Sequence, residues 1–362
     1  MNKFQPNVPF NQLPLLPPKI NLDDIDILKA TNKANRRLAE FNASLLSLPN
    51  PYLFIKPLTV REAVASSQIE NINTTVAEVF QAKILPEIEM TKEQKETVHY
   101  TEALMAGFEL LKRQKFLNTN SYFEIQRTIE PSKAGIRKLS GTAIKNSVTG
   151  EVIYTPPEGE QLLRDLLKNY EYYYNEQDSL DPDPLIRMAL LHYQFEAIHP
   201  FYDGNGRTGR ILMVLYLVLQ KYIDFPVLFM SGYINQHRQD YYQLLREITE
   251  KNIWKNFILF LLHAVEIQAL DTISKLLRLK NIEADLKKVL STEARRSSLY
   301  PMIEYLISNP FYNQKHASEA VKMNRKTVAD YFIFLEKKGI LHRFKIKKYT
   351  IYFNKELLKA LE

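Results

Sequence analysis

Apolar residues recur every three or four positions through most of this chain. Ile25, Leu28, Ala34, Leu38, Phe41 and Leu45 trace one such face across residues 21–48, which the SLPNP turn closes; the spacing predicts an amphipathic helix. LTVREAVASSQIENINTT predicts a second helix with a polar, Asn/Thr-rich end, and residues 94–131 and 159–176 predict further amphipathic helices. LIRMALLHYQFEAI carries helical spacing up to Pro200, which forbids a smooth continuation. ILMVLYLVL, from Ile211, is apolar on every side and predicts a buried helix. Helices around 235–250 and 253–280 follow. Only GTAIKNSVTGEVIYTPP breaks the rhythm, with short period-2 runs around Gly150 that predict a β-hairpin. Residues 1–20 are Pro-rich and predict an extended strap. There is no internal repeat, so the pattern gives a mainly helical body with one isolated hairpin.

The last fifth is different. Residues 298–308, 314–321 and 324–338 read as helices, and LHRFKIKKYTIYFN as two alternating strands. This order resembles a winged helix-turn-helix, with 324–338 as its recognition helix. Residues 291–362 hold 14 Lys/Arg against 7 Asp/Glu, a difference of +7 equal to the net charge of the whole chain. The basic positions include Arg295, Arg325, Lys326, Lys345, Lys347 and Lys348. Contact with DNA and docking to a protein through a solvated basic face are both open at this point. Elsewhere composition is ordinary: 45% apolar, 25% charged, over 362 residues that suggest two or three domains. The absence of cysteine excludes disulfides and Cys-ligated zinc. The first twenty residues lack the apolar core of a signal peptide, and the apolar runs Ile211–Leu219 and Phe257–Leu262 are too short to span a bilayer. A cytoplasmic protein with no membrane partner is expected.

Chemistry concentrates in His199–Arg210, HPFYDGNGRTGR. Three of the ten glycines, Gly204, Gly206 and Gly209, fall within six residues; such clustering marks positive φ or close approach of backbone. The stretch lies between two core helices and opens onto a helix N-terminus, where backbone N–H groups attract phosphate. Arg207 and Arg210, three apart, share a helix face suited to a polyphosphate. Asp203 is a hard oxygen ligand suited to magnesium. No GK[ST] of a P-loop is present, nor HExxH, so neither ordinary P-loop chemistry nor a zinc pair fits.

HPFYDGNGRTGR resembles the Fic motif, HPFx[DE]GNGRxxR, at every defining position. The resemblance extends to PLIRMALLHYQFEAI, to the hairpin ending in IYTPP and to PNPYLFIKPLTVREAVASSQIENINTT. It implies a Fic-type helical bundle with a β-hairpin flap: an N-terminal associated region at 1–93, a catalytic core at 94–285, and the winged domain at 291–362. It implies an adenylyltransferase that moves AMP from ATP to a Ser, Thr or Tyr hydroxyl of a target protein. His199 would be the general base and Asp203 would hold Mg2+. Gly204, Asn205 and Gly206 would stabilise charge on the phosphates, with the Asn205 side chain adding a donor, and Arg207 and Arg210 would fix the β- and γ-phosphates. The flap, 142–155, would pin the target segment by strand pairing through Ile144, Ile153 and Tyr154. Ser66, Glu70 and Asn71 match the family's inhibitory pattern [ST]xxxE[GN], which implies that Glu70 pairs with Arg210 and obstructs the γ-phosphate. Self-modification, removal of AMP and a homodimer belong to the same expectation. The alternative is a DNA-binding regulator that uses the Fic core as a nucleotide sensor.

Overall fold

The computed structural model describes residues 4–48, 50–86, 89–145, 149–176, 182–291, 296–346 and 348–362. Residues 146–148 of the expected hairpin, and Arg295 and Lys347 of the expected basic tail, lie outside the described residues. In chain order come α1 (Ile25–Leu46), α2 (Tyr52–Ile69), α3 (Val76–Ala82), α4 (Lys92–Gln114), α5 (Thr119–Ile129) and a 3-10 turn at Pro131–Lys133. Then follow β1 (Ile144–Lys145), β2 (Val152–Tyr154), α6 (Glu160–Asn175), α7 (Pro184–Ile198), α8 (Asn205–Leu219), α9 (Met230–Gln236), α10 (Arg238–Lys251) and α11 (Lys255–Leu290). The chain ends with α12 (Arg296–Ser308), β3 (Phe311–Tyr312), α13 (Gln314–Val321), α14 (Arg325–Lys337), β4 (His342–Ile346), β5 (Tyr349–Phe353) and α15 (Lys355–Leu361). The fold is mainly helical, as the periodicity predicts.

Two compact units form. One comprises Met1–Asn42 with His99–Ala269, the other Ala43–Val98 with Leu270–Glu362. The first is built on α7 and α8. Every residue of α7 except Glu196 is buried, and α8 is buried except at Gly206 and Val218. Helices apolar all round belong in a core. A Cβ at Gly209 would lie 2.5 Å from Glu196 Oε1 and 3.1 Å from Phe195 Cδ1, so glycine permits the close approach of α8 to α7. Tyr122 of α5, Tyr170 of α6 and Phe195 of α7 form an aromatic cluster with centroids 5.6 to 6.5 Å apart. Residues 4–16 form the expected extended strap: the Phe10 amide donates to Thr155 O at 3.0 Å, Gln194 donates to Pro14 O at 2.9 Å, and Leu13 and Leu16 are buried.

The expected single helix at 94–131 is two, α4 and α5. Lys115 adopts positive φ (66°), and Asn118 caps α5 by accepting from the Ser121 amide. The expected 253–280 helix continues to Leu290. By length and composition α11 is apolar enough to cross a membrane, which the short uninterrupted runs did not suggest, but half of its most apolar window is buried inside the protein. Its buried positions Phe257, Leu261, Ala264, Gln268 and Thr272 repeat at helical spacing, the signature of a core helix.

In the second unit β3, β5 and β4 make an antiparallel sheet in that spatial order, with Phe311 opposite Phe353 and Phe344 opposite Ile351. Phe332 of α14 packs between Tyr312 (5.9 Å) and Tyr352 (5.0 Å). Asn313 donates to Ile84 O at 2.9 Å, which joins this sheet region to the segment after α3.

Candidate active site

Pro200 ends α7, as its fixed φ and missing N–H require. His199 takes the C-cap in the left-handed region (φ 48°, ψ 57°), with its amide still donating to Phe195 O at 3.0 Å. An imidazole residue at positive φ is a strained choice that the surroundings must enforce. Arg137 enforces it. Its guanidinium is buried and donates through Nε to His199 O at 2.7 Å, and through Nη2 to Ile198 O at 3.2 Å and to Pro157 O. Burial lowers the pKa of this arginine, opposed by the Glu158 charge. The Arg137 amide donates to Pro200 O at 2.9 Å, and Ile136 forms a bridge with Phe201. Tyr202 Oη accepts from the Lys138 and Leu139 amides, and these bonds lower its pKa. The loop after His199 is thus laced to residues 136–139.

Gly204 turns the chain into α8 at φ 78°, where a side chain would be strained. Gly206 and Gly209 lie within the helix, so positive φ is needed at one of the three glycines. The Asn205 side chain is buried and spans the loop: Oδ1 accepts from the Phe201 amide at 2.8 Å, and Nδ2 donates to Phe201 O at 2.9 Å. The amide thus braces the loop, and Nδ2 keeps a second N–H beyond the one given to Phe201 O. First-turn N–H groups of a helix have no intrahelical acceptor, so those of Asn205, Gly206 and Arg207 form an anion-attracting terminus.

Arg207 and Arg210 are three residues apart as expected, and both are buried. Glu130, just after α5, holds Arg207 at 2.6 Å. Asp203 is half-exposed; Lys133 approaches its Oδ2 at 2.5 Å and Arg207 its Oδ1 at 3.5 Å. Burial pushes the Asp203 carboxyl up, but the Lys133 ammonium, the Gly204 amide and Arg207 outweigh it and hold the pKa below the ordinary value. Gln126 donates to Asp203 O at 3.0 Å and fixes the carbonyl side of the turn. Asp203 and Arg207 thus meet at the start of α8, His199 precedes the loop, and Arg210 is buried one turn further along the helix; an imidazole, a carboxylate and arginines are the groups that proton transfer and polyphosphate binding require.

The hairpin forms, with Ile144 opposite Tyr154 and Lys145 opposite Val152. Ile144 and Ile153 are half-exposed. The Tyr154 ring is buried against Phe4 and Phe10, and its hydroxyl donates to Ala197 O at 2.8 Å. It anchors the strand to α7, and burial raises its pKa well above 10. In the second unit α2 ends at Ile69. Ser66 is buried, Glu70 is the exposed C-cap, and Asn71 is exposed at φ 61°. Ser66 and Glu70 therefore do not both sit within the helix.

Sequence reasoning missed Arg137, Glu130, Lys133 and Gln126. They lie 62 to 77 positions upstream of the groups they hold, and a partner at that distance leaves no mark on local periodicity. His192, in the middle of α7, is buried, with Nε2 2.9 Å from Tyr241 Oη.

Comparison with known proteins points to one family. A family model described as "Fic/DOC family N-terminal" matches residues 28–109, and one described as "Fic/DOC family" matches 116–217. The chain is similar to the protein adenylyltransferase Fic of Aedes aegypti, 29% identical over 161 residues, which is 43% of this chain and 29% of that protein. It is likewise similar to that of Drosophila mojavensis, 36% identical over 110 residues, 30% of this chain and 20% of that protein. The chain thus spans less than a third of the length of these relatives. A Fic family protein from Desulfovibrio desulfuricans superposes with a TM-score of 0.58 at 15% identity, over 92% of this chain and 98% of that one. Fic-1 from C. elegans gives 0.53 at 20% identity, over 68% and 73%. The motif, the two family matches and the shared fold together make this chain a Fic domain protein of the Fic/DOC family.

Proposed function

We propose that this chain transfers AMP from ATP to a side-chain hydroxyl of a protein. The observation that carries the reading is His199, held at positive φ by Arg137 beside the N-terminus of α8. The relatives' names, protein adenylyltransferase Fic, support it. The hydroxyl oxygen bonds to the α-phosphorus, the bond from that phosphorus to the bridging oxygen breaks, pyrophosphate leaves, and the hydroxyl proton passes to neutral His199. The first-turn N–H groups of α8 and the guanidinium of Arg207 stabilise the phosphate charge, and Arg210 sets the distal phosphates so that attack is in line.

Magnesium takes one or two carboxylates and completes its shell with phosphate oxygens and water. Among the described residues no group of three His, Cys, Asp or Glu makes a cage. Asp203, a half-exposed carboxylate already facing a cation, fits an ion that arrives with the nucleotide. Such an ion supplies charge neutralisation at the phosphates.

The target residue is Ser, Thr or Tyr, on another protein or on a second copy of this chain in a homodimer, presented by strand pairing along β1 and β2. The reaction belongs in the cytoplasm. Glu70 restrains it, and the same carboxylate orients water when AMP is removed. A nucleotide sensor without transfer needs phosphate ligands but no base, so His199 favours the enzyme over a purely regulatory role.

The test is incubation with ATP labelled at the α- or the γ-phosphate. Label from the α position alone should enter protein, and His199→Ala should cut the rate by ~10²–10⁴-fold while nucleotide still binds. Glu70→Gly should raise it by roughly 30-fold or more, the effect of about 2 kcal/mol. Equal α-labelling by wild type and His199→Ala sinks the transfer reading; a Glu70→Gly rate no higher than wild type sinks the restraint.

A further inference from the structure

The C-terminal elements fall in the order α12, β3, α13, α14, β4, β5, with β5 central in the sheet. Between α13 and α14 lies a three-residue turn, 322–324. Lys322 bends it at φ 53°, and Asn324 caps α14 by accepting from the Lys326 amide at 2.8 Å. Val328, Tyr331, Phe332 and Leu335 bury one face of α14. The opposite stripe, Lys326, Asp330, Ile333 and Lys337, is exposed at spacings of four, three and four, with Arg325 and Thr327 exposed beside its N-terminal end. Two antiparallel strands follow directly, with Lys345 exposed on β4 and Lys348 exposed at the turn.

We propose that this C-terminal part is a winged helix-turn-helix that binds duplex DNA, with α14 in the major groove and the β4–β5 hairpin against the neighbouring phosphates. Three independent features lead there. The buried stripe fixes α14 to the sheet, so its outer face is a rigid rod of the diameter that a major groove admits. That face carries base-reading chemistry as well as charge: the Asp330 carboxylate can accept from a cytosine amino group, and Ile333 can meet a thymine methyl. Residues 291–362 hold 14 cationic side chains against 7 anionic, complementary to a polyanion. An acidic protein would satisfy the charge alone; the rod with a flanking basic hairpin is specific to a grooved duplex. This inference does not rest on AMP transfer.

The experiment measures fluorescence anisotropy of a labelled mixed-sequence duplex of about 25 base pairs with the full chain, from about 50 to 300 mM KCl. Binding should weaken linearly on a log–log plot. Arg325→Ala with Lys326→Ala should lower the slope by about 2 and weaken binding by roughly tenfold or more at low salt. Lys345→Ala with Lys348→Ala should act alike. Arg278→Ala with Lys280→Ala, which removes two exposed cations from α11, should leave binding within about twofold of wild type. Melting curves for all three variants should match wild type. No anisotropy change at low salt overturns the proposal. So does equal loss in the α11 control, which reports net charge alone. Competition by polyglutamate as effective as by unlabelled duplex also overturns it, and assigns the face to an acidic protein.

Discussion

Lys133 meets Asp203 where the proposed metal would sit. The pair is partly exposed, with the lysine side chain 53% and the aspartate 37% accessible, so it contributes at most about 1 kcal/mol. A magnesium ion must displace or outcompete that ammonium. Lys133→Met should therefore tighten Mn2+ binding, in the presence of a non-hydrolysable ATP analogue, by roughly two- to fivefold. Calorimetric titration reads this without turnover. Weaker metal binding in the variant would mean that Lys133 helps to hold the nucleotide instead. At this scale the site was half legible. His199, Asp203 and the arginines announce themselves because their spacing along the chain is their chemistry. Arg137 and Glu130 do not, because a long-range hydrogen bond leaves no trace in local pattern. Asn205 adds a case at short range: its type marks it as polar and its place in the motif is plain, but only the structure shows its amide bracing Phe201 through Oδ1 and Nδ2.

Helices were legible where they were long and periodic and illegible where they were short or interrupted. α3, β3 and α15 have seven residues or fewer, too few to display a period. α2 begins at Tyr52 and runs through Pro57, ahead of the expected start at Leu58. Helix-to-helix distance is a further feature that no propensity reports. A Cβ at Gly107, inside α4, would lie 2.7 Å from Leu215 Cδ1 and 2.9 Å from Ile125 Cδ1, both on fully buried side chains. Helix propensity alone favours Gly107→Ala by about 1 kcal/mol. Overpacking a closed core costs about 1–3 kcal/mol, and here α5 and α8 would both have to give way. The expected net is destabilisation by about 1 kcal/mol, seen as a lower urea midpoint with an unchanged slope. A higher midpoint would show that α4 has room to move.

Across the molecule, the surplus positive charge lies in the last fifth of the chain, while a buried histidine with a strongly lowered pKa lies in the core of the first unit. His192, on α7, is 2% exposed. Burial first, then the Arg210 charge, lowers its pKa to about 3. In the unfolded chain the same imidazole titrates near 6.5, so between these values the unfolded state binds a proton that the folded state refuses. Stability from this residue is complete above about pH 6.5 and is lost as the pH falls toward 3. At pH 5 the loss relative to pH 7.5 is roughly 2 kcal/mol. That pH lies above the range in which carboxylates such as Asp203 take up protons, so the histidine contribution stands apart from general acid unfolding. His192→Gln keeps a polar partner for Tyr241 Oη, yet cannot titrate. Chemical denaturation at pH 7.5 and pH 5 should show wild type losing about 2 kcal/mol more than the variant. Parallel losses in the two proteins would mean that His192 takes up its proton without unfolding, and that the wall of Tyr241, Phe257 and Arg210 around it opens to water.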